Sequence, residues 1–341
     1  MKRPLLLIGQ GARGFDLVPL VERLNIPVAT TWNAMDMIPY DHPLCVGRPG
    51  TVSLPLANWA VQNCDYLISV GARLDNIVTC YAPETFASQA RRLTVDIDEA
   101  ELAKHPGDTL RADACEFLST LDFHCPDWIK ESPYGKYPKR DYPASGPISH
   151  YQLVEALSDI LQEGQLIVTG SSGLAVEAFY QTFRNKRGQR IFHTTGLGAM
   201  GYGLPSAIGA CLAAGRKPTV LFESDGSLMF ALPSLATIAR LDLPITIIVA
   251  NNGGYASMRA TQRNYFDGRY IATGEGIPDI CKVAEQFNIV SFNYEDDPSI
   301  LGIAGRLNIK QWPRLINVDL LPNEVLSPKF VSAPPLMQAA A

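Results

Sequence analysis

Two short polar clusters in the second half of the chain carry residue types suited to binding a divalent cation and a phosphate. Ser224-Asp225-Gly226-Ser227 follows the apolar run 219–222, and Asn251-Asn252-Gly253-Gly254 follows the apolar run 245–250. Asp and Asn offer oxygen ligands of the kind that Mg²⁺ prefers, and the ion commonly shares its coordination sphere with substrate phosphates. The residue types therefore predict a magnesium–phosphate site.

The elements around these clusters predict that the clusters meet. Residues 233–240 show helical spacing behind Pro233, so the segment reads as strand, helix, strand, which normally forms a right-handed parallel unit. Ligands of open parallel sheets collect outside the carboxyl ends of the strands. Backbone N–H groups after Gly226 are predicted to meet the phosphate. Either cluster alone is an ordinary turn sequence, and the prediction depends on their combination.

Composition narrows the class of protein. The chain has 341 residues, of which 47% are hydrophobic and 18% charged, and this predicts a soluble protein of two domains. A net charge of −5 without blocks of like charge argues against nucleic-acid or membrane partners. No apolar run approaches 18 residues, and the basic, apolar start is too short for a signal. Seven scattered cysteines without C-x-x-C predict no disulfide framework or zinc site and a reducing, cytoplasmic location.

The predicted fold is α/β, with two doubly wound, mainly parallel-sheet domains joined by a Pro/Tyr-rich linker. We place the first domain at residues 1–124, the linker at 125–147, the second domain at 148–330 and a frayed tail at 331–341. Strands in the first domain are predicted at 5–8, 28–31, 66–70 and 93–97. In the second domain, small residues at 169–173 follow the predicted strand 166–168 and suit a diphosphate.

A glycine-rich turn near the N-terminus is compatible with a different function, the binding of a dinucleotide. Gly9, Gly11 and Gly14 satisfy G-x-G-x-x-G after the first predicted strand, a pattern that admits a dinucleotide diphosphate. A nicotinamide site also expects an acidic residue at the end of the second strand, where this chain has Trp32 and Asn33. We therefore favour a tight strand-to-helix turn, and keep a dinucleotide-binding oxidoreductase as an alternative.

The motifs resemble those of thiamine diphosphate enzymes. The motif of that family is Gly-Asp-Gly, followed by a spacer of two to three dozen residues and then Asn-Asn. In this chain, residues 227–250 form the spacer between Asp225-Gly226 and Asn251-Asn252. Ser224 replaces the first glycine of the motif. Residues 195–205 resemble the family's cofactor loop. Residues 9–12, 46–50, 71–75 and 95–98 resemble the central domain of acetolactate synthase-like enzymes. The resemblance implies metal binding by the side chains of Asp225 and Asn252 and by the Gly254 carbonyl.

The resemblance also implies a set of cofactor contacts. Met200 would wedge between the two rings of the cofactor, and the Gly198 region would meet its 4′-amino group. The remaining cofactor-binding residues are predicted to be Ser171, Ser172, Gly173, Gly226, Ser227 and Tyr255. Residues 255–266 are predicted to touch substrate or to form a solvated helix, and His193 is an acid–base candidate or a structural residue. In several relatives the central domain holds a flavin without a redox role, so FAD is an open alternative here. Arg73 and Asp96 would then be its contacts, and otherwise they are surface pairs or caps.

The implied function is that of a thiamine diphosphate- and Mg²⁺-dependent carboligase or decarboxylase component acting on a 2-keto acid, with pyruvate expected. The acceptor stays open among a keto acid, an aldehyde and a keto-sugar nucleotide. In the family, the activating glutamate lies on an N-terminal pyrimidine domain, and this chain starts at the central domain. We therefore expect half an active site, completed by a pyrimidine-domain subunit or within a homo-oligomer. A truncated homologue or a catalytically silent interaction subunit is the other alternative.

Overall fold

A computed structural model of the chain resolves into two units, each of which is described by itself. Unit 1 comprises Met1–Arg140 and Ser327–Ala341, and unit 2 comprises Asp141–Leu326. The structure describes residues 1–104, 106–138, 140–142, 147–170, 173–194, 196–274, 276–293, 303, 305–307, 311–333 and 336–340.

Unit 1 is built on a six-stranded, all-parallel sheet with the order β3-β2-β1-β4-β5-β6. Alternate residues of β1 point to opposite faces, so Leu6 and Ile8 enter one hydrophobic core and Leu5 and Leu7 enter another. Burial on both faces explains the uninterrupted apolar run in this strand. The strands are β1 (Pro4–Ile8), β2 (Val28–Thr30), β3 (Cys45–Gly47), β4 (Tyr66–Val70), β5 (Arg91–Asp96) and β6 (Asp108–Arg111). The helices are α1 (Leu17–Leu24), α2 (Pro55–Asn63), α3 (Glu99–Leu102) and α4 (Ala114–Thr120), with 3₁₀ turns at Gln10–Ala12, Trp32–Met37 and Ile129–Glu131.

Unit 2 contains a second six-stranded, all-parallel sheet, with the order β11-β12-β10-β9-β7-β8. The central strands β9 and β10 are buried along almost their whole length. The strands are β7 (Leu166–Thr169), β8 (Arg190–Phe192), β9 (Thr219–Ser224), β10 (Ile245–Asn251), β11 (Val290–Asn293) and β12 (Arg314–Asp319). The helices are α5 (His150–Ile160), α6 (Leu174–Thr182), α7 (Gly203–Ala213), α8 (Asp225–Leu228), α9 (Pro233–Arg240), α10 (Ala256–Tyr265) and α11 (Ile280–Gln286), with a 3₁₀ turn at Met229–Ala231. The two parallel α/β sheets confirm the predicted fold class.

The boundaries of the units differ from the predicted ones at the linker and at the tail. Trp128, in the predicted linker, is buried in unit 1, where its ring packs on Trp59 and its Nε1 donates to the Pro4 carbonyl at 2.9 Å. These contacts group the chain up to Arg140 with unit 1. The predicted frayed tail instead contributes to an antiparallel hairpin of β13 (Lys329–Ala333) and β14 (Leu336–Ala340), in which each strand supplies the other's backbone partners.

Two short strands differ from the predicted elements, and one predicted helix lies largely beyond the described residues. The sequence missed β3 and β6, because β3 has only three residues and β6 is exposed along its length and has no apolar alternation. The helical spacing of residues 300–307 also predicts a helix, but much of this segment lies outside the described residues. The seven cysteines, all of which the structure describes, form no disulfide. Among the described helices, none has the length and apolar character needed to cross a membrane.

Candidate functional site

The two polar clusters lie side by side at one edge of the unit 2 sheet. Strands β9 and β10 pair in parallel, with Ala250 opposite Ser224. Asp225 and Asn252, which follow these strands, therefore leave the sheet at the same edge. A backbone hydrogen bond joins the two clusters, since the Gly254 N–H donates to Asp225 Oδ2 at 2.6 Å. The predicted meeting of the two strand ends is confirmed.

Asp225 is a carboxylate held in a dry site. Its side chain is shielded from solvent, and its Oδ1 accepts the Gly226 N–H at 2.8 Å. Burial raises the pKa of Asp225, although the N–H groups of Gly254 and Gly226 and the charge of Arg259 act in the opposite direction. A buried carboxylate needs a compensating charge, and the N–H groups of Gly226, Gly253 and Gly254 leave at least one of its roughly four acceptor positions for a cation. Asp225 therefore has the properties expected of a side chain that coordinates a cation.

Asn252 supplies a second oxygen with the character of a ligand. The residue is buried, and its Nδ2 lies 3.1 Å from His150 Nε2. Its Oδ1 is out of contact with solvent and has no hydrogen-bond partner among the described residues. A buried amide oxygen normally finds a donor, so an orphaned one at the same sheet edge as a buried carboxylate fits a site built for a cation.

The backbone at this edge explains which positions require glycine. Gly254 has φ of +116°, and a Cβ added to it would lie 2.3 Å from Gly274 Cα, so a side chain is excluded. Ser224, by contrast, has φ of −89° and ψ of 151°, an ordinary extended conformation. The replacement of the family's first glycine by Ser224 therefore introduces no backbone strain.

Arg259, on α10, holds the loop that follows β10. Its guanidinium donates to the carbonyls of Asn252 at 2.8 Å, Gly253 at 3.0 Å, Thr273 at 2.7 Å and Pro322 at 2.7 Å. The carbonyls of Asn252 and Gly253 are therefore turned toward Arg259. The sequence had marked only the stretch 255–266 and had not singled out Arg259.

The predicted cofactor loop joins the same site. The Gly201 N–H donates to Ser227 Oγ at 3.0 Å, which ties the loop containing Gly198 and Met200 to the turn after Asp225. Met200 is 41% exposed, so it does not fill a gap in the core. Leu197, in the same loop, is 94% exposed. This loop therefore exposes apolar side chains, and it is tied to the turn that follows Asp225.

Two of the other residues predicted to contact the cofactor, Gly226 and Gly173, lie close to the same turn. Gly226 lies under the ring of Tyr255, because a Cβ added to Gly226 would come within 2.5 Å of Tyr255 Cε1. Gly173 has φ of +88° and precedes α6, and a Cβ added to it would lie 3.8 Å from Ser224 Oγ. Gly173 is thus near the turn after β9. Ser171 and Ser172 lie outside the described residues.

A buried glutamate that the sequence did not reveal lies next to this edge. Glu223 is completely buried in β9, and burial raises its pKa to about 7, although hydrogen bonds from Ser224, Ser227 and Gly203 act in the opposite direction. A Cβ added to Gly170 or to Gly203 would lie 2.1 Å from a carboxylate oxygen of Glu223. These two glycines are therefore needed to accommodate the glutamate. A lone Glu at the end of an apolar run gave no indication in the sequence that its carboxyl group would be buried next to this edge.

Several other residues predicted to bind or react have contacts within the fold that indicate a structural role. His193 is buried and packs on the ring of Tyr180 with a centroid separation of 4.5 Å, which favours the structural alternative. In unit 1, Arg73 pairs with Glu101 at 3.3 Å, and Asp96 accepts the Asp98 N–H at 3.0 Å. These contacts give no support to a flavin. Over the described part of the chain, no group of three or more His, Cys, Asp or Glu residues is placed to hold a metal. The candidate site relies instead on one carboxylate together with amide and carbonyl oxygens.

Two parts of the chain match domains of known enzymes. Residues 1–121 match the thiamine pyrophosphate enzyme central domain, and residues 169–306 match the C-terminal TPP binding domain of the same enzymes. The chain belongs to the thiamine pyrophosphate enzyme family.

Its relatives include acetolactate synthase large subunits. The chain is 32% identical to that of Pyropia yezoensis over 328 residues, which cover 89% of this chain and 55% of the relative. It is 30% identical to the isozyme 1 large subunit of Escherichia coli (strain K12) over 347 residues, or 96% of this chain and 60% of that one. The chain thus spans little more than half the length of these relatives.

Proposed function

We propose that unit 2 binds thiamine diphosphate through Mg²⁺, with the ion held by Asp225, Asn252 Oδ1 and the Gly254 carbonyl. The observation that carries this proposal is the pairing of a desolvated carboxylate with an orphaned amide oxygen at one sheet edge. An octahedral Mg²⁺ ion would complete its shell with phosphate oxygens and water. Gly173 and Ser227 lie next to this edge and would face the diphosphate.

The chain's own residues then bind and orient the cofactor. The exposed side chain of Met200 would support its rings, and the ring of Tyr255 over Gly226 closes one side of the turn that holds the metal. When bound, thiamine diphosphate supplies the electron sink for cleavage of a bond next to a keto group. The protein would contribute anchoring, orientation and exclusion of water, which the burial of Asp225 and Asn252 already provides.

We further propose that the protein is a carboligase or decarboxylase component acting on a 2-keto acid, with pyruvate as the donor. The relatives named acetolactate synthase large subunit support this substrate class. The activating glutamate is proposed to lie on a pyrimidine domain, in the same or another polypeptide. In support, Leu197, Met200 and Phe230 expose apolar surface around the site, and such surface is typical of a face that another group covers.

The dinucleotide alternative finds less support. The Gly9 N–H donates to the Val70 carbonyl at 3.0 Å, and the Gly11 N–H donates to the Gly71 carbonyl at 2.9 Å. These donors are therefore already used inside unit 1. A Cβ added to Gly9 would lie 2.1 Å from Gly71 O, so this glycine serves the close approach of two chain segments. The contacts favour the interpretation of a tight turn.

Calorimetric titration tests the proposal. Thiamine diphosphate should bind the wild-type chain in the presence of Mg²⁺ and much more weakly after chelation of the metal. Asp225→Ala should abolish the metal-dependent part of the affinity, whereas Asp122→Ala, at an exposed position in unit 1, should leave it unchanged. Equal affinity in wild type and Asp225→Ala would refute the metal assignment. Turnover of a complete complex that survives Asp225→Ala would instead favour the silent interaction subunit.

A further inference from the structure

The amide of Asn252 poses a problem of orientation. Its oxygen and nitrogen ends have nearly the same shape, yet only the oxygen can bind a cation, and the NH₂ end would repel it. Rotation by 180° about the last side-chain bond would therefore remove a ligand from the site without any change in packing. Something in the structure must distinguish the two orientations, and the candidate is the neighbouring side chain of His150, whose Nε2 lies 3.1 Å from Asn252 Nδ2.

His150 is itself fixed by a carboxylate. Glu324 accepts hydrogen bonds from Ser149 Oγ at 2.5 Å, from the His150 N–H at 2.7 Å and from the His150 ring Nδ1 at 2.7 Å. Partial burial raises the pKa of Glu324, but the bonds from the His150 side chain, the Ser149 hydroxyl and the His150 N–H outweigh this effect, and the net pKa is lowered. An ionised carboxylate is an acceptor only, so Nδ1 must carry the hydrogen.

The tautomer of His150 then determines the orientation of the amide. With the proton on Nδ1, the lone pair of Nε2 accepts the hydrogen bond from the Asn252 NH₂ group 3.1 Å away. The His150 side chain is fully buried, so water does not compete for this lone pair. The NH₂ end of Asn252 must face the ring, and Oδ1 must face away from it. This is the oxygen that lacks a partner among the described residues.

We propose that Glu324 and His150 are a positioning pair that holds the Asn252 amide with its oxygen toward the cation. The inference rests on the proposed function, because it requires a metal at Asn252. It places a hydrogen-bonded carboxylate–imidazole pair behind an amide ligand, where outer partners of this kind orient ligands and their loss typically weakens metal binding by about 10–100-fold. The three residues come from α5, the end of β10 and the segment after β12, and nothing in their spacing along the chain indicates that they meet.

The experiment measures metal binding rather than turnover. Mn²⁺ replaces Mg²⁺, and the electron paramagnetic resonance signal of free Mn²⁺ is followed during titration in the presence of thiamine diphosphate. Glu324→Gln, which lets the His150 proton move to Nε2, and His150→Phe, which removes the acceptor, should each weaken binding by about 10–100-fold. His150→Gln, whose amide oxygen can accept from Asn252, should lose less than His150→Phe. His42→Phe and Glu22→Gln alter a comparable but exposed pair in unit 1 and should bind like wild type.

A second measurement reads the tautomer directly. Two-bond ¹H–¹⁵N spectra of the wild-type protein without metal should show His150 protonated at Nδ1 only, with the signal assigned by its loss in His150→Phe. Thermal unfolding without metal shows whether each variant folds; if His150→Phe does not, the near-isosteric Glu324→Gln carries the test.

The outcomes separate the inference from the function on which it rests. Mn²⁺ affinity in Glu324→Gln within threefold of wild type, or a His150 ring protonated at Nε2, would overturn the positioning pair. If Asp225→Ala loses Mn²⁺ under the same conditions, the proposed metal site stands without that pair. Absence of cofactor-dependent Mn²⁺ binding by the wild type would refute the proposed function itself, and the inference with it.

Discussion

Replacement of Arg259 by Met should loosen the loop that carries the metal ligands while leaving the rest of unit 2 folded. Met keeps much of the apolar stem and removes four hydrogen bonds from the guanidinium to carbonyl oxygens. The bonds to Gly253 and Pro322 are exposed and contribute little, so the main loss comes from the part-buried bonds to Asn252 and Thr273. Hydrogen bonds to charged groups contribute about 1.5–3 kcal/mol each.

At the lower end of that range, the two part-buried bonds give a loss in local stability of about 3 kcal/mol, which corresponds to roughly a hundredfold increase in the population of the open loop. Hydrogen exchange followed by mass spectrometry measures this change. Peptides that cover the amides of Gly254 and Tyr255 should exchange about 100-fold faster, because these amides donate to Asp225 and to the Thr273 carbonyl within the loop. Metal affinity should fall as well, since binding must then order the loop.

Arg263→Met is the matched control. Arg263 lies one turn further along α10 and is exposed. Its replacement should leave both exchange and affinity close to wild type. Equal exchange in the two variants would refute the inference that Arg259 holds the loop, and unchanged affinity despite faster exchange would show that loop order does not limit binding.

Two further predictions follow from close contacts and from charge. Gly226→Ala places a Cβ 2.5 Å from the Tyr255 ring and should destabilise unit 2 by about 1–3 kcal/mol in denaturant unfolding. Gly209→Ala, in open space on α7, is the control and should be neutral or slightly stabilising. Equal stability of the two variants would contradict the contact between Gly226 and Tyr255. Glu324→Gln should cost about 1–3 kcal/mol at pH 7. Because the folded pKa of Glu324 is below its ordinary value of 4.5, the stabilisation by the carboxylate is present above that pH and is lost as pH falls through the folded pKa. The difference between wild type and Glu324→Gln in a pH series of unfolding curves should therefore shrink in acid, and a constant difference would contradict the ionised state of Glu324.

The sequence predicted the fold class and the meeting of the two strand ends because local patterns carry both. Strands β9 and β10 are apolar runs that stop at turn residues, and the helix between them fixes their parallel direction. The sequence could not predict the surroundings of the ligands, which come from distant segments. Glu324 and His150 are 174 positions apart, and the segments that carry them are joined by the bridge between Ile148 and Leu320.

The predicted linker and tail differ from the structure for a related reason. Proline and tyrosine interrupt periodicity, so residues 125–147 resembled a surface linker, yet Trp128 is anchored in the core of unit 1 by contacts with Trp59 and Pro4. Residues 336–340 of the tail pair with residues 329–333, and backbone pairing of this kind leaves little trace in hydrophobic periodicity. In both places, the partner rather than the local sequence determines the structure.

Anomalous diffraction from crystals grown with Mn²⁺ and thiamine diphosphate tests the central claim most directly. The account predicts one Mn²⁺ peak at roughly 2.0–2.2 Å from a carboxylate oxygen of Asp225, from Asn252 Oδ1 and from the Gly254 carbonyl, with phosphate oxygens completing the shell. A peak elsewhere, or a diphosphate bound without contact to these three oxygens, would contradict it.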